Sequence, residues 1–288
     1  MKETISKGRI SPLVPKIGGG LSMEAHLVEL GNKKYVVRIC KSKQQAKFYE
    51  SISRRLSKYK ILPKFIERQN SNVFFEYLPG RDLKNKENLK IFEQIGSICA
   101  RINNLEYSSK EDINSSFNKQ LSELTNGKYR KYTLQETEEK RARRPSERHD
   151  IRRIKALITK EENKKLRTIN KKLITKTKIK VSLDAFDVSP ANFRLSNGKV
   201  YFVDMDAIKP KIKGIGIAKC FFKWAKNDKQ KKAFLNGYLS ILENNFLTEE
   251  YMDLLYLHFL VQALHDRAKL GRNYKEEYKA LKGLLRKF

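Results

Sequence analysis

Apolar residues fall in short runs at the start of this chain and in helical stripes later on. Glu24–Leu30 and Lys33–Ile39 read as two strands joined by a tight turn at Gly31-Asn32. Lys43–Tyr59 reads as a helix, because Ala46, Tyr49, Ile52 and Leu56 recur at roughly helical spacing. Phe65–Arg68 and Val73–Leu78 read as two further strands around the polar turn Asn70-Ser71-Asn72, and Pro79-Gly80 then breaks the chain. The pattern predicts a small antiparallel sheet with one helix over residues 1–79, and a lobe boundary at Pro79-Gly80.

Beyond that break the pattern is mainly helical. Leu89–Asn103 carries Ile91, Ile95, Ile98 and Ile102 on one face. Residues 107–127 are polar and read as loop. Residues 134–173 read as helical, with Ile151, Ile154, Leu157 and Ile158 as one stripe and an exposed break at Arg141–Pro145. Ala218–Asn227, Lys229–Asn245, Glu249–Leu270 and Lys275–Lys287 read as helices. The expected fold is α+β and bilobal, with residues 80–288 forming a larger, mainly helical C-terminal lobe.

One hairpin interrupts the helices. Asn197-Gly198 is a strong two-residue turn, because both positions tolerate positive φ. It joins Phe193–Ser196 to Lys199–Val203. Pairing Ser196 with Lys199 sets Asn192 opposite Val203, next to Asp204. An amide and a carboxylate then reach the same end of the hairpin, close enough to share a cation that prefers oxygen ligands. Asp187 precedes Asn192 by five positions, and Asp-x4-Asn followed by a second Asp is the spacing of a phosphoryl-transfer site. The alternative for Asp187-Val188-Ser189-Pro190-Ala191-Asn192 alone is a capped turn, since Asp, Ser, Pro and Asn all favour turns.

A second group of residues lies upstream. Gly18-Gly19-Gly20 precedes the first hairpin, and glycines let a backbone approach phosphate oxygens closely. Pairing Leu30 with Lys33 sets Arg38 opposite Ala25, at the end of the hairpin nearest that glycine loop. Glu50, twelve residues on, is placed to brace Arg38 by an ion pair.

Composition narrows the possibilities. The chain has 288 residues, 40% of them hydrophobic, enough for a sizeable core. No apolar run reaches the roughly 20 residues a membrane span needs. The N-terminus lacks the apolar segment of a signal peptide, and Cys40, Cys99 and Cys220 have no metal or redox spacing. These features fit a cytoplasmic protein whose cysteines pack as small apolar groups. The formal net charge is +30, which attracts polyanions. Residues 128–180 hold 20 Lys/Arg against 7 Asp/Glu. Within the basic helical segment of about 107–180, Arg141, Arg143, Arg144, Arg148, Arg152 and Arg153 are candidate contacts to nucleic acid or an anionic membrane surface, with a solvated helix face as the alternative.

The order of parts is glycine loop, basic residue on a strand, Glu on the next helix, Pro-Gly break, Asp-x4-Asn, Asp. In this order the chain resembles the aminoglycoside phosphotransferase/choline kinase-like branch of the protein-kinase-like fold. Val36-Val37-Arg38 is similar to the family's basic strand, and Phe74–Leu83 to its hinge, an apolar strand ending in Leu-Pro-Gly-x-x-Leu. Ile98–Asn103 sits where the family has a helix ending in Leu-His. Phe186–Asn192 resembles Gly-Asp-x-x-Pro-Gly-Asn, and Val203–Ala207 resembles Ile-Asp-(aromatic)-acidic-Ala. The resemblance implies Asp187 as catalytic base and Asn192 and Asp204 as ligands of Mg2+. It also implies Arg38 on the phosphates of ATP, Glu50 bracing it, and Glu76, Tyr77 and Leu78 lining the adenine pocket through backbone groups. Asp184 and Asp206 fall outside the core spacing and read as turn or supporting groups. The chain departs from the family at Ala185-Phe186, where His-Gly is usual, at Ala191, and at Gly214–Ala218, where an acidic residue is missing.

The expected function is ATP-dependent transfer of the γ-phosphate to a small-molecule hydroxyl, with residues 1–79 binding nucleotide and residues 80–288 carrying catalysis and the acceptor. The positive field favours a neutral or anionic acceptor over aminoglycosides or choline. The competing readings are a catalytically impaired kinase-like protein that binds nucleic acid or another polyanion, and a protein kinase.

Overall fold

A five-stranded antiparallel sheet opens the chain, in the order β1-β2-β3-β5-β4. Its strands are β1 (Arg9–Pro12), β2 (Ala25–Leu30), β3 (Lys33–Ile39), β4 (Phe65–Gln69) and β5 (Asn72–Glu76). The computed structural model describes residues 9–12, 25–30, 32–105, 107, 113–127, 156–177 and 179–288. The β2–β3 register matches expectation: Leu30 pairs with Lys33, and Arg38 with Ala25. Strand β1 was not foreseen. Helix α1 (Lys43–Leu56) starts at Ser42, whose hydroxyl accepts the Gln45 N–H at 3.2 Å, a cap worth about 1 kcal/mol. It buries Ala46, Tyr49, Ile52 and Leu56, the stripe read from the sequence. Val28, Val37 and Phe74 form a core within the sheet, with Tyr35 and Ile66 packed against it.

The chain divides into two compact units, both discontinuous in sequence. Met1–Tyr107, Ser182–Pro210 and Lys219–Asn244 make the first, and Ser108–Val181, Lys211–Ala218 and Asn245–Phe288 the second.

In the first unit, helix α2 (Leu89–Asn103) follows the short strand β6 (Arg81–Asp82) and has the bounds expected of it. It packs against α6 (Asp228–Leu239) at very close range. A Cβ on Gly96 would lie 2.0 Å from the Phe234 carbonyl oxygen, and one on Gly237 would lie 1.8 Å from that of Glu93. The same helix pair carries a buried polar chain. Tyr238 donates to Asn103 Oδ1 at 2.6 Å, and Asn103 Nδ2 donates to the Leu183 carbonyl at 2.9 Å and to Asp184 Oδ2 at 2.7 Å. Leu183 and Asp184 belong to β7 (Val181–Ala185), the strand that runs into Asp187. Strand β7 pairs with β10 (Ile208–Ile212), and neither was foreseen. The hairpin β8 (Phe193–Ser196) and β9 (Lys199–Phe202) pairs with β6. Its buried face carries Phe193 and Phe202, at an edge-to-face centroid distance of 5.1 Å, and Phe193 also meets the Trp224 ring. Trp224 follows helix α5 (Ile215–Lys223). Cys40, Cys99 and Cys220 are free and buried, as expected.

The second unit is helical: α3 (Ile113–Asn126), α4 (Lys160–Thr177), α7 (Glu249–Lys269) and α8 (Lys275–Lys287). Helix α3 corrects the loop expected over 107–127. Its polar composition hid a narrow apolar face of Phe117, Leu121 and Leu124, all buried. Ile151 and Ile154 of the stripe expected over 134–173 lie outside the described residues. Leu157 and Ile158 precede α4 in a bend, tied by the Leu157 N–H to the Leu124 carbonyl at 2.9 Å. Helix α7 is apolar around much of its circumference and takes the centre of the unit, with Leu254, Leu257, Val261 and Leu264 fully buried. His258 lies inside it, 2.8 Å from Asn170 Oδ1, and burial pushes its pKa down to about 3.

His265, one turn further, sits 2.6 Å from Glu123 and 3.3 Å from Asp266. Burial opposes its charge, but the hydrogen bonds and negative charges of Asp266 and Glu123 together outweigh it and raise its pKa above the usual histidine value of 6.5. A raised folded pKa adds stability that is complete below pH of about 6.5 and is lost as pH climbs through the raised value. Thermal melts of the wild type and His265→Gln should therefore differ more at about pH 5.5 than at about pH 8.5. An equal difference at both would show that this cluster does not titrate.

Candidate active site

The hairpin positions one end of the site. Asn197 and Gly198 have φ of 49° and 74°, the pair of left-handed residues that a tight antiparallel turn needs. Ser196 pairs with Lys199 and Phe193 with Phe202, and the Val203 N–H donates to the Asn192 carbonyl at 2.9 Å. Asn192 thus stands beside Asp204, as the register predicted. Ahead of it the chain makes one short helical turn over Pro190–Asn192, closed by Ser189 N–H to Asp187 carbonyl and Asn192 N–H to Ser189 carbonyl, each 3.0 Å. The side chain of Asn192 locks this loop, since its Nδ2 donates to the Asp187 carbonyl at 2.8 Å. The amide nitrogen is committed there, so the amide oxygen is the part of Asn192 left for a cation. Val188, fully buried, anchors the loop from below.

Asp204 caps a second short turn, accepting the Asp206 N–H at 3.2 Å. Arg38 reaches it from β3: Nη1 lies 3.7 Å from Asp204 and 4.0 Å from Asp206, while Nη2 donates to the Val203 carbonyl at 2.6 Å. Burial raises the Asp204 pKa, opposed by Arg38 and reinforced by the Asp206 and Asp187 carboxylates. Among the described residues, Asp206 Oδ2 is buried with no hydrogen-bond donor. Concentrated carboxylate charge and an orphaned oxygen are what a bound cation would relieve.

Asp206 is more deeply involved than its spacing suggested. Its Oδ1 accepts the Tyr49 hydroxyl and, at 3.2 Å, Gln45 Nε2. Gln45 and Tyr49 are four residues apart and share one face of α1. The structure corrects the role given to Glu50, which does not meet Arg38. Glu50 takes Arg68 Nε at 2.7 Å and Arg54 at 3.0 Å, and the hydrogen bond from Arg68 is the main cause of its lowered pKa. The reason is helical phase. Glu50 lies about 100° around the helix from Tyr49, toward β4, and the carboxylates beside Arg38 come from the loop after β9 instead.

The hinge is tightly tied. Glu76 N–H donates to Lys64 carbonyl at 2.9 Å and Tyr77 N–H to Lys34 carbonyl at 3.2 Å, while Leu78 carbonyl accepts Arg194 Nε at 2.7 Å. Three backbone groups of the expected adenine-facing stretch are thus engaged within the protein. Asp187 has a neighbour that sequence reasoning missed: Lys219 Nζ, from α5, lies 2.5 Å from its Oδ1. Thirty-two residues separate the two, and no local pattern links them. Gly18, Gly19 and Gly20, and the six arginines Arg141, Arg143, Arg144, Arg148, Arg152 and Arg153, lie outside the described residues.

A small antiparallel sheet with one helix leads into a mainly helical region, and an Asp-Asn-Asp loop and hairpin carry the acidic residues. That is a protein-kinase-like fold. The model of the choline/ethanolamine kinase family matches residues 14–282, and the chain belongs to that family. It is therefore a kinase that phosphorylates a hydroxyl of a small molecule at the expense of ATP. Among solved structures, the choline kinase LicA from Streptococcus pneumoniae matches with a TM-score of 0.64 at 15% identity, covering 100% of this chain and 98% of that one. An ethanolamine kinase from Plasmodium vivax matches with 0.60 at 12% identity, covering 99% and 83%. The spectinomycin phosphotransferase APH(9)-Ia, in complex with ADP and spectinomycin, matches with 0.57 at 14% identity, covering 95% and 88%. No curated protein sequence matches this one closely enough to count as a relative. No helix among the described residues is long and apolar enough to cross a membrane.

Proposed function

We propose that the chain transfers the γ-phosphoryl group of ATP to the hydroxyl of a small amino alcohol of the choline or ethanolamine type, with Asp187 as general base. The observation that carries this reading is the convergence of Asp187, Asn192, Asp204, Asp206 and Arg38. The amino alcohol follows from the family match and replaces the neutral or anionic acceptor favoured by net charge. A field of exposed lysines is screened within about 8 Å at physiological salt, so it discriminates weakly between acceptors held in a cleft. The structures of the choline kinase LicA with AMP and of the spectinomycin phosphotransferase with ADP support nucleotide binding.

In this reading Asp187 accepts the proton of the acceptor hydroxyl as its oxygen bonds to phosphorus and the bond to the β-phosphate oxygen breaks, releasing ADP. Arg38 supplies positive charge to the phosphates, and the backbone of Glu76, Tyr77 and Leu78 lines the adenine pocket. Asn192, Asp204 and Asp206 would hold Mg2+. Among the described residues no three acidic or metal-binding side chains form a closed metal cage. Mg2+ is usually held by one or two carboxylates together with substrate phosphates. When bound, the ion neutralises charge on the phosphate oxygens. The lobe boundary at Pro79-Gly80 belongs to the same proposal, with residues 1–79 serving nucleotide and residues 80–288 serving catalysis and acceptor. The polyanion reading rests on arginines outside the described residues and gains nothing from the rest.

The test is a melting curve with and without Mg-ATP, followed by ADP release with choline, ethanolamine, a neutral polyol and a sugar phosphate. Saturating nucleotide at about 100 times its Kd should stabilise the protein by about 2.7 kcal/mol, a shift of about 5 °C or more. Asp204→Ala should abolish the shift. A wild type that no nucleotide stabilises would overturn the reading, and ADP release with the sugar phosphate alone would restore the anionic acceptor.

A further inference from the structure

The Lys219–Asp187 pair differs from an ordinary surface ion pair. Asp187 is 38% exposed as a side chain, yet its Oδ1 is shut off from solvent, accepts no hydrogen bond among the described residues and meets the Lys219 ammonium as an ion pair at 2.5 Å. Lys219 itself is only 21% exposed, and its ammonium also lies 5.5 Å from the centroid of the Phe186 ring, the residue just before Asp187. The helix that presents it is firmly set: the next residues, Cys220 and Phe221, are 0% and 8% exposed. A cation held on one side by an aromatic face and on the other by a carboxylate has little freedom. The Asp187 main chain is fixed by Asn192 and Ser189, but those bonds leave rotation about its side chain unrestrained. Lys219 supplies that restraint.

We propose that Lys219 is a positioning residue for phosphoryl transfer: it clamps Oδ1 of Asp187 so that Oδ2 is the oxygen turned to the acceptor hydroxyl. The proposal rests on the reading of Asp187 as general base. Proton transfer then runs to Oδ2, and Lys219 takes no part in bond making or breaking. It also gives a physical role to Phe186, which carries the ammonium toward the carboxylate.

Steady-state kinetics of Lys219→Met and Lys219→Arg test it, in the wild-type and Asp187→Asn backgrounds. Misplacing a reacting group by about 1 Å costs about 100-fold, so K219M should lower kcat by about that factor with the KM for ATP within about twofold. A partly exposed pair contributes about 1 kcal/mol or less, so the melting temperature should move by no more than about 3 °C. K219R, which keeps the charge, should recover at least about tenfold. With Asp187→Asn already present, K219M should change kcat by less than about threefold, because residues acting as a unit are not additive. A kcat for K219M within about threefold of wild type overturns the proposal, and so does the same fractional loss in both backgrounds. A wild type that transfers no phosphate would instead remove the catalytic reading. Reductive methylation of Lys219 would then still read the clamp: slow in the wild type and faster in Asp187→Asn if it exists, equal in both if it does not.

Discussion

Asp187→Asn is expected to lower kcat by about 10³-fold while leaving the KM for ATP nearly unchanged, within the range that general-base groups contribute. The substitution removes the proton acceptor and the charge that pairs with Lys219, and leaves the loop in place. The loop around Asp187 is held through its main chain: the carbonyl accepts the Ser189 N–H at 3.0 Å and Asn192 Nδ2 at 2.8 Å. An amide of the same shape spares both bonds, and the Asn192, Asp204 and Asp206 oxygens stay in place. The variant should therefore still show the melting shift with Mg-ATP that Asp204→Ala loses, which separates chemistry from binding. Activity within about tenfold of wild type would show that another group takes the proton.

The largest effect on stability is expected from Gly237→Ala. A Cβ there would sit 1.8 Å from the Glu93 carbonyl oxygen and 2.6 Å from its carbon, and the facing Gly96 leaves no slack, since a Cβ on it would meet the Phe234 carbonyl at 2.0 Å. Both obstacles are main chain, so no side chain can rotate away, and α2 and α6 must move apart by more than 1 Å. Overpacking of this kind costs about 3 kcal/mol, a fall of about 6–12 °C in melting temperature for a chain of this size. The damage should reach the site as well. Asn103 and Tyr238, on those two helices, hold Leu183 and Asp184 of the strand that leads to Asp187. A melting temperature within about 2 °C of wild type would mean that the two helices part at little cost.

Several elements of the fold were legible in the chain. Lys33–Ile39, Leu89–Asn103 and Lys275–Lys287 have the bounds expected of them. Each is a short-range pattern: strands bounded by turn residues, or an apolar stripe that repeats over three turns. Helix α3 was missed because a mostly polar sequence with three buried residues looks like loop until a partner covers that face. Strands β1, β7 and β10 were missed because a short strand carries little signal apart from the strand it pairs with. The expected helix Lys229–Asn245 runs only from Asp228 to Leu239, the apolar residues beyond it failing to mark its end.

The candidate site divides along the same line. Local geometry decided the register that sets Asn192 beside Asp204 and Arg38 opposite Ala25, because a two-residue turn leaves the flanking strands one way to pair. Helical phase decided that Gln45 and Tyr49 reach Asp206 while Glu50 goes to Arg68. A rotation of about 100° separates those outcomes, and apolar spacing alone does not say which flank of the helix faces which strand. Only the tertiary structure could bring Lys219 to Asp187, since the pair depends on where a helix far along the chain is anchored by its buried neighbours. By itself the sequence determined the kind of chemistry, through residue types at short spacings. The folded chain decided which partners hold those residues still, because such contacts depend on packing between segments that no local pattern connects.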